Sequence, residues 1–254
     1  MFKAPSSKDT QSFYDRLISG SVKRSLWGTS SRFDPSKIAH ATSTKIHYEN
    51  VIKPYCSTKA EALDIGCSTG GFTGVLAKHC QSVVGVDLSK NAIDLANSHF
   101  SQNELSNCIA KLGNGCHLDF DHETFDLIQM IDVIHHVENA EKLFQEVHRI
   151  LRPGGKLIVF EPNKYNLALW LMCAIDRNEW GALKLGSKQR YKTLFAEHFH
   201  IETIEYNGLL IGPNGQTSTR IADWLCQQQG FPGLQTQCPK IFILLSKKYD
   251  DTLK

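Results

Sequence analysis

After Pro54 the chain settles into one recurring order, a short apolar strand, a turn and an amphipathic helix, and this constrains the fold more than any other feature. Strands that alternate with helices build a parallel sheet wrapped by helices on both faces. The predicted strands are Ala62 to Ile65, Ser82 to Asp87, Cys108 to Leu112, Phe125 to Ile131, Lys156 to Phe160, His200 to Tyr206 and Ile241 to Lys247. Between them, Phe72, Val75, Leu76 and His79 recur at helical spacing. Ala140, Leu143, Phe144 and Val147 do the same and continue to Ile150 and Leu151, until Pro153, Gly154 and Gly155 stop the helix. A last helix is expected over Thr217 to Gln229. The pattern predicts seven strands ending in an antiparallel edge strand.

A chain of 254 residues can bury a full core as one α/β domain. A formal net charge of +2 demands no polyanionic partner, so bulk charge gives nucleic acid no support. The eight cysteines are dispersed, with no CxxC pair and no metal-ligand spacing, and read as reduced thiols of a cytoplasmic protein. Residues 1 to about 11 read as a polar tail, and residues 1–58 as tail plus helical cap, ahead of the main α/β domain over 59–254. No apolar run reaches the length of a membrane span.

The strongest chemical signal is Leu63-Asp64-Ile65-Gly66-Cys67-Ser68-Thr69-Gly70-Gly71-Phe72, an apolar strand running into small residues and then a helix. Such a loop brings backbone N–H groups against a ligand that side chains would obstruct, although an ordinary tight turn has the same composition. About twenty residues beyond Gly66, Asp87 ends the second strand, where a carboxylate can accept from both hydroxyls of a ribose. Its bland alternative is a helix N-cap. Nicotinamide enzymes share both features, but a dinucleotide fingerprint would need glycine where Ser68 stands.

From Ala60 to about Asn163 the chain resembles the small-molecule branch of the class I S-adenosylmethionine (SAM)-dependent methyltransferases. Leu63 to Gly70 resembles the first motif, with Ser68 in place of the commoner glycine. Val83 to Ser89 resembles the ribose motif. Phe125-Asp126-Leu127-Ile128 with Asp132 to His136 resembles the fourth-strand block, and Leu151 to Leu157 the turn before the fifth strand. The resemblance implies a Rossmann-like, mostly parallel sheet in the order 3-2-1-4-5-7-6. SAM would lie across the carboxyl ends of strands 1, 2 and 4. Asp64 would organise the loop, and Gly66, Cys67, Ser68 and Gly70 would pack on SAM. Asp87 would hold the ribose, Leu88 would lie beside the adenine, and the backbone around Met130 and Ile131 would meet the methionine end. Where the family usually has an acidic residue for the adenine amino group, this chain has Gly113-Asn114-Gly115. The Asn114 side-chain carbonyl can still accept that bond, unless Asn114 and Gly115 only form a turn.

SAM carries its methyl already activated, so alignment and water exclusion suffice, no metal is expected, and S-adenosylhomocysteine is the product. A hydroxyl acceptor would benefit from a base, and His135 and His136 follow strand 4. His135 is the favoured one, being nearer the expected methyl, while either residue can equally cap or pack. Asp132 and Glu161 are weaker candidates. The apolar stretch over about 163–187, with Leu167, Leu169, Trp170, Leu171, Met172, Ile175 and Trp180, reads as buried packing that forms a lid over a partly apolar acceptor. A membrane-surface role is disfavoured because no lysine-rich face accompanies it. The expected function is O-methylation of a small molecule. An RNA methyltransferase is the alternative, although Phe160-Glu161-Pro162 stands where the ribose-methylating enzymes need a lysine; a non-catalytic binding protein of the same fold is the third possibility.

Overall fold

A computed structural model of the chain describes residues 7–19, 33–211, 216–228 and 230–248. All seven predicted strands form: β1 Glu61–Ile65, β2 Ser82–Asp87, β3 Cys108–Leu112, β4 Phe125–Ile131, β5 Leu151–Pro162, β6 Phe199–Asn207 and β7 Lys240–Lys247. They make one sheet in the order β3-β2-β1-β4-β5-β7-β6. The antiparallel member is β7, hydrogen-bonded between β5 and β6, so the edge strand is β6. This refines the expectation of an antiparallel edge. The stretch Ile241 to Leu245 is buried throughout and belongs in the interior, whereas β6 mixes buried with part-exposed residues.

Alternation along the strands gives the sheet two apolar faces. Leu63, Ile128, Val159 and Ile243 meet the helix Ala140–Ile150 and Phe195 on one side. Ala62, Leu127, Ile158 and Phe242 meet Val75 and Leu76 of the helix Gly71–Ala77, together with Tyr48 and Ile52, on the other. Leu151 opens β5 and does not extend the preceding helix: it pairs with Phe125, and the register then slips to Leu127 against Lys156, bulging the Pro153-Gly154-Gly155 turn out of the ladder. His79 lies past the end of its helix, where its Nε2 meets Glu49 Oε1 at 2.9 Å.

The N-terminal residues are more structured than their polarity suggested. A helix runs Ser7–Ile18, so residues 7–11 are not tail. Leu17 is fully buried and the Gln11 side chain donates to the Leu88 carbonyl (2.8 Å), which holds the helix across the end of β2. Residues 1–6 of the expected tail and Gln229 at the end of the expected last helix lie outside the described residues; that helix spans Gln216–Gln227. After β5 come the helices Leu167–Ile175 and Trp180–Leu185, joined by a single turn Arg177–Glu179. No helix among the described residues is long and apolar enough to cross a membrane. Strand order reverses between β1 and β4, which opens a crevice at their carboxyl ends.

Candidate active site

A cavity of ≈ 460 Å³ fills that crevice, closed above by the N-terminal helix and the helix Leu167–Ile175. Its lining includes Asp64, Gly66, Cys67, Ser68, Asp87, Leu88, Asn114, Gly115, Ile131, His135 and His136. Gly70 and Met130 are not part of the lining. Met130 is fully buried in the core, and Gly70 caps the helix Gly71–Ala77 in a left-handed conformation (φ +82°).

The loop is bare first because the protein itself crowds it. A Cβ on Gly66 (φ +75°) would stand 2.4 Å from Val133, and one on Gly70 would stand 2.7 Å from the Phe100 ring. The glycines thus answer to packing as well as to ligand access. Ser68 takes the left-handed conformation that glycine adopts more cheaply (φ +48°), and its N–H donates to Asp87 Oδ2 at 3.0 Å. The other Asp87 oxygen accepts the Ser89 N–H (2.9 Å), while Ser89 itself caps the next helix through its hydroxyl. Asp87 is therefore not the cap. A carboxylate offers about four lone-pair sites, so two remain for a ribose diol, and the residues present fit a nucleoside-bearing ligand. Burial raises the Asp87 pKa against the pull of the Ser89 and Ser68 N–H groups. Asp64, also buried, is raised to about 7, with the Thr73 hydroxyl bond (2.6 Å) opposing the shift. Asn114 does form the turn: its Oδ1 accepts the Cys116 N–H (3.0 Å), leaving one lone pair for an adenine amino group.

The opposite end of the cavity is built from distant segments. β4 ends at Ile131, and Asp132 follows in a left-handed conformation (φ +57°), with its carboxylate paired to Lys240 from β7. The turn Ile134–His136 follows. His135 Nδ1 lies 2.7 Å from Glu161 Oε2 and its Nε2 lies 3.3 Å from Glu179 Oε2. Two carboxylates facing both ring nitrogens require both to carry protons. Burial opposes the charge on His135, yet Glu161 and Glu179 outweigh it and raise the pKa to about 10. Glu161 is fully buried and anchored by the Val133 and Ile134 N–H groups (2.8 Å each) and the Tyr191 hydroxyl (3.2 Å). The ring of His136 lies 3.9 Å from that of His135, tilted by 43°. Burial, then the charge of its neighbour, lowers the His136 pKa to about 4, so it is neutral near pH 7. Its Nε2 is 3.0 Å from the Tyr14 hydroxyl, which donates to Glu179 Oε1 (3.1 Å). With the Tyr14 proton on Glu179, His136 Nε2 carries hydrogen and Nδ1 is left unprotonated, without a hydrogen-bond partner among the described residues.

This geometry departs from the expectation that favoured His135 as a base: a protonated imidazole closed between two carboxylates has no lone pair to offer. The ligand atoms of His135, His136 and Glu179 lie within 4.8 Å of one another, but a metal would first have to displace that proton. Sequence reasoning passed over Tyr14, Glu179 and Lys240. Glu179, an acid inside the apolar 163–187 stretch, and Lys240, a cation opening the apolar β7, were the available signals.

Residues 63–159 match the family profile described as a methyltransferase domain. A sterol 4-C-methyltransferase of Caenorhabditis elegans is 29% identical over 136 residues, covering 53% of this chain and 40% of that protein. A ubiquinone biosynthesis O-methyltransferase of Coxiella burnetii is 32% identical over 106 residues, covering 40% of this chain and 43% of that protein. The chain thus spans less than half the length of these relatives. The crystal structure of a SAM-dependent methyltransferase from Aquifex aeolicus superposes with a TM-score of 0.59 at 15% identity, covering 85% of this chain and 98% of that one, and shares the fold.

Proposed function

Residues 63–159 belong to the class I SAM-dependent methyltransferase family, and from that premise we propose that the chain methylates a hydroxyl of a small, partly apolar molecule. One observation carries the reading: a single cavity joins the Asp87 and Ser68 loop at one end to the neutral His136 with Tyr14 and Glu179 at the other. SAM, when bound, supplies a methyl group already activated on a sulfonium.

The protein's part is to hold and to receive. Asp87 would hold a ribose, and the loop from Gly66 to Thr69 would pack on the same ligand. Leu169, Met172, Leu209 and Ile211 wall the cavity with apolar surface that grips the acceptor and excludes water. The His136 imidazole, neutral near pH 7 and part of the cavity lining, takes the proton of the acceptor hydroxyl as the new bond forms. Tyr14 and Glu179 then stabilise the resulting imidazolium through Nε2. His135 does not exchange protons; it positions Glu161 and Glu179. The names of the relatives, a sterol methyltransferase and a ubiquinone-pathway O-methyltransferase, support an apolar acceptor and, in the second case, an oxygen nucleophile.

The test is transfer from radiolabelled SAM to a panel of phenols and hydroxylated amphiphiles. Replacing His136 by Ala should lower turnover by roughly 10²-fold or more while SAM affinity stays nearly constant. His136→Gln keeps a hydrogen bond but cannot take the proton, so it should not rescue. Normal turnover by His136→Ala would remove the base from the mechanism.

A further inference from the structure

The helix Leu167–Ile175, Leu-Ala-Leu-Trp-Leu-Met-Cys-Ala-Ile, carries no charged or polar side chain apart from its thiol, yet only Cys173 is buried. Leu169 and Met172 turn into the cavity. Leu167, Trp170, Leu171 and Ile175 are 64, 45, 50 and 68% exposed, and their spacing puts them on one outward face. The expectation of buried packing therefore holds for one side of this helix only.

The apolar face continues onto a neighbouring segment. Asn166 donates to the Gln237 carbonyl, the Gln237 side chain accepts the Leu167 N–H (3.1 Å), and its amide donates back to the Tyr165 carbonyl (2.9 Å). Tyr165 is half exposed, and the segment leading into Gln237 carries exposed Phe231 and Leu234. Cations rim the patch. Lys164 stands over the Tyr165 ring before the helix and Arg177 over the Trp180 ring after it, while Lys184 is exposed on the helix Trp180–Leu185. The acids of the same stretch are turned to other tasks: Asp176 caps the Asn178 N–H, and Glu179 is inside the cavity. A lysine-rich face is absent from the helix itself, as its sequence says, but the fold places basic groups at both of its ends.

We propose that this face docks on an anionic lipid surface, with the helix Leu167–Ile175 lying in the plane of the headgroups. Nine residues span about 14 Å, far short of the roughly 30 Å of a hydrocarbon core, so the helix can lie in the interface but not cross it. Tyrosine and tryptophan among aliphatic side chains suit that boundary, where one end of each ring is apolar and the other wet. The basic rim complements anionic headgroups within a Debye length.

Co-sedimentation of the full chain with vesicles of phosphatidylcholine and phosphatidylglycerol in a three-to-one ratio tests this. The protein should pellet, less so at high salt or with pure phosphatidylcholine. A Trp170→Gln, Leu171→Gln double variant should bind at least about tenfold more weakly, with melting temperature and SAM affinity unchanged. Wild-type protein that stays in the supernatant, or a double variant that pellets equally, would overturn the proposal. Sedimentation equilibrium showing a wild-type dimer that the double variant abolishes would assign the face to a second copy instead.

Discussion

The two ends of the cavity are built on opposite plans. At the nucleoside end, Asp87, Ser68 and the glycine loop come from one β-α-β stretch, and the chemistry is mainly backbone N–H groups around one carboxylate. At the acceptor end, Tyr14, His136, Glu161, Glu179 and Lys240 come from segments spread along the whole chain, and the chemistry is a buried network of charged side chains. The first end keeps its partners whether or not the rest of the cavity is closed. The second exists only when the N-terminal helix, β5, the lid and β7 are all in place.

The contrast is sharpened most by removing Glu161. Glu161→Ala strips partners from His135 Nδ1, from the Val133 and Ile134 N–H groups and from Tyr191, so the fold should lose roughly 3–5 kcal/mol, the cost of breaking a buried pair. Urea unfolding measures this, and a loss under about 1 kcal/mol would mean that the network is not the structural centre of the acceptor end. The corresponding change at the other end should touch binding and spare the fold. Asp87→Ala should weaken SAM binding by roughly 1.5 to 3 kcal/mol, the scale of hydrogen bonds to a charged group. Calorimetry showing unchanged SAM affinity in the folded variant would sever the ribose assignment.

A subtler difference lies in the pH dependence of stability. His135 rises from 6.5 to about 10 on folding, so the native state holds a proton that the unfolded chain releases above pH 6.5. Its contribution is full below that pH and is lost as pH climbs towards 10. His136 falls from 6.5 to about 4, so the unfolded chain binds the extra proton between those values, and stability declines as pH drops through them. The pair should therefore set a stability maximum near pH 6.5. In His135→Gln the decline on the alkaline side should flatten; an identical alkaline slope would place its origin elsewhere.

The same contrast explains what the sequence disclosed. Strand order, the carboxylate at the end of β2 and the glycine loop were legible because each depends on residues within a few turns of one another. That Asp87 is not a cap needed only Ser89, two positions on. The roles of Glu179 and Lys240 were illegible because no neighbour in sequence points to their partners, and only the tertiary fold brings them to Asp132, His135 and Tyr14. The helix Leu167–Ile175 was legible as a helix but not as an exposed one. Burial depends on what packs against a face, and its hydropathy exceeds that of the helix Ala140–Ile150, whose Leu143, Phe144 and Val147 are completely buried.

Gly181, the second residue of the helix Trp180–Leu185, packs so close to the chain that a Cβ there would lie 1.8 Å from the His135 carbonyl oxygen, and one on Gly186 would lie 2.5 Å from the Ala182 carbonyl oxygen and 2.8 Å from that of Pro162. Backbone touching backbone cannot yield as a side chain can. The lid is thus a span fixed at both ends, riveted at Gly181 and Gly186 and tied at the start of Leu167–Ile175 by the amide side chains of Asn163, Asn166 and Gln237. A load on the apolar helix between them is shared by its two supports, and the first rivet bears on the residue that lies between the two buried carboxylates.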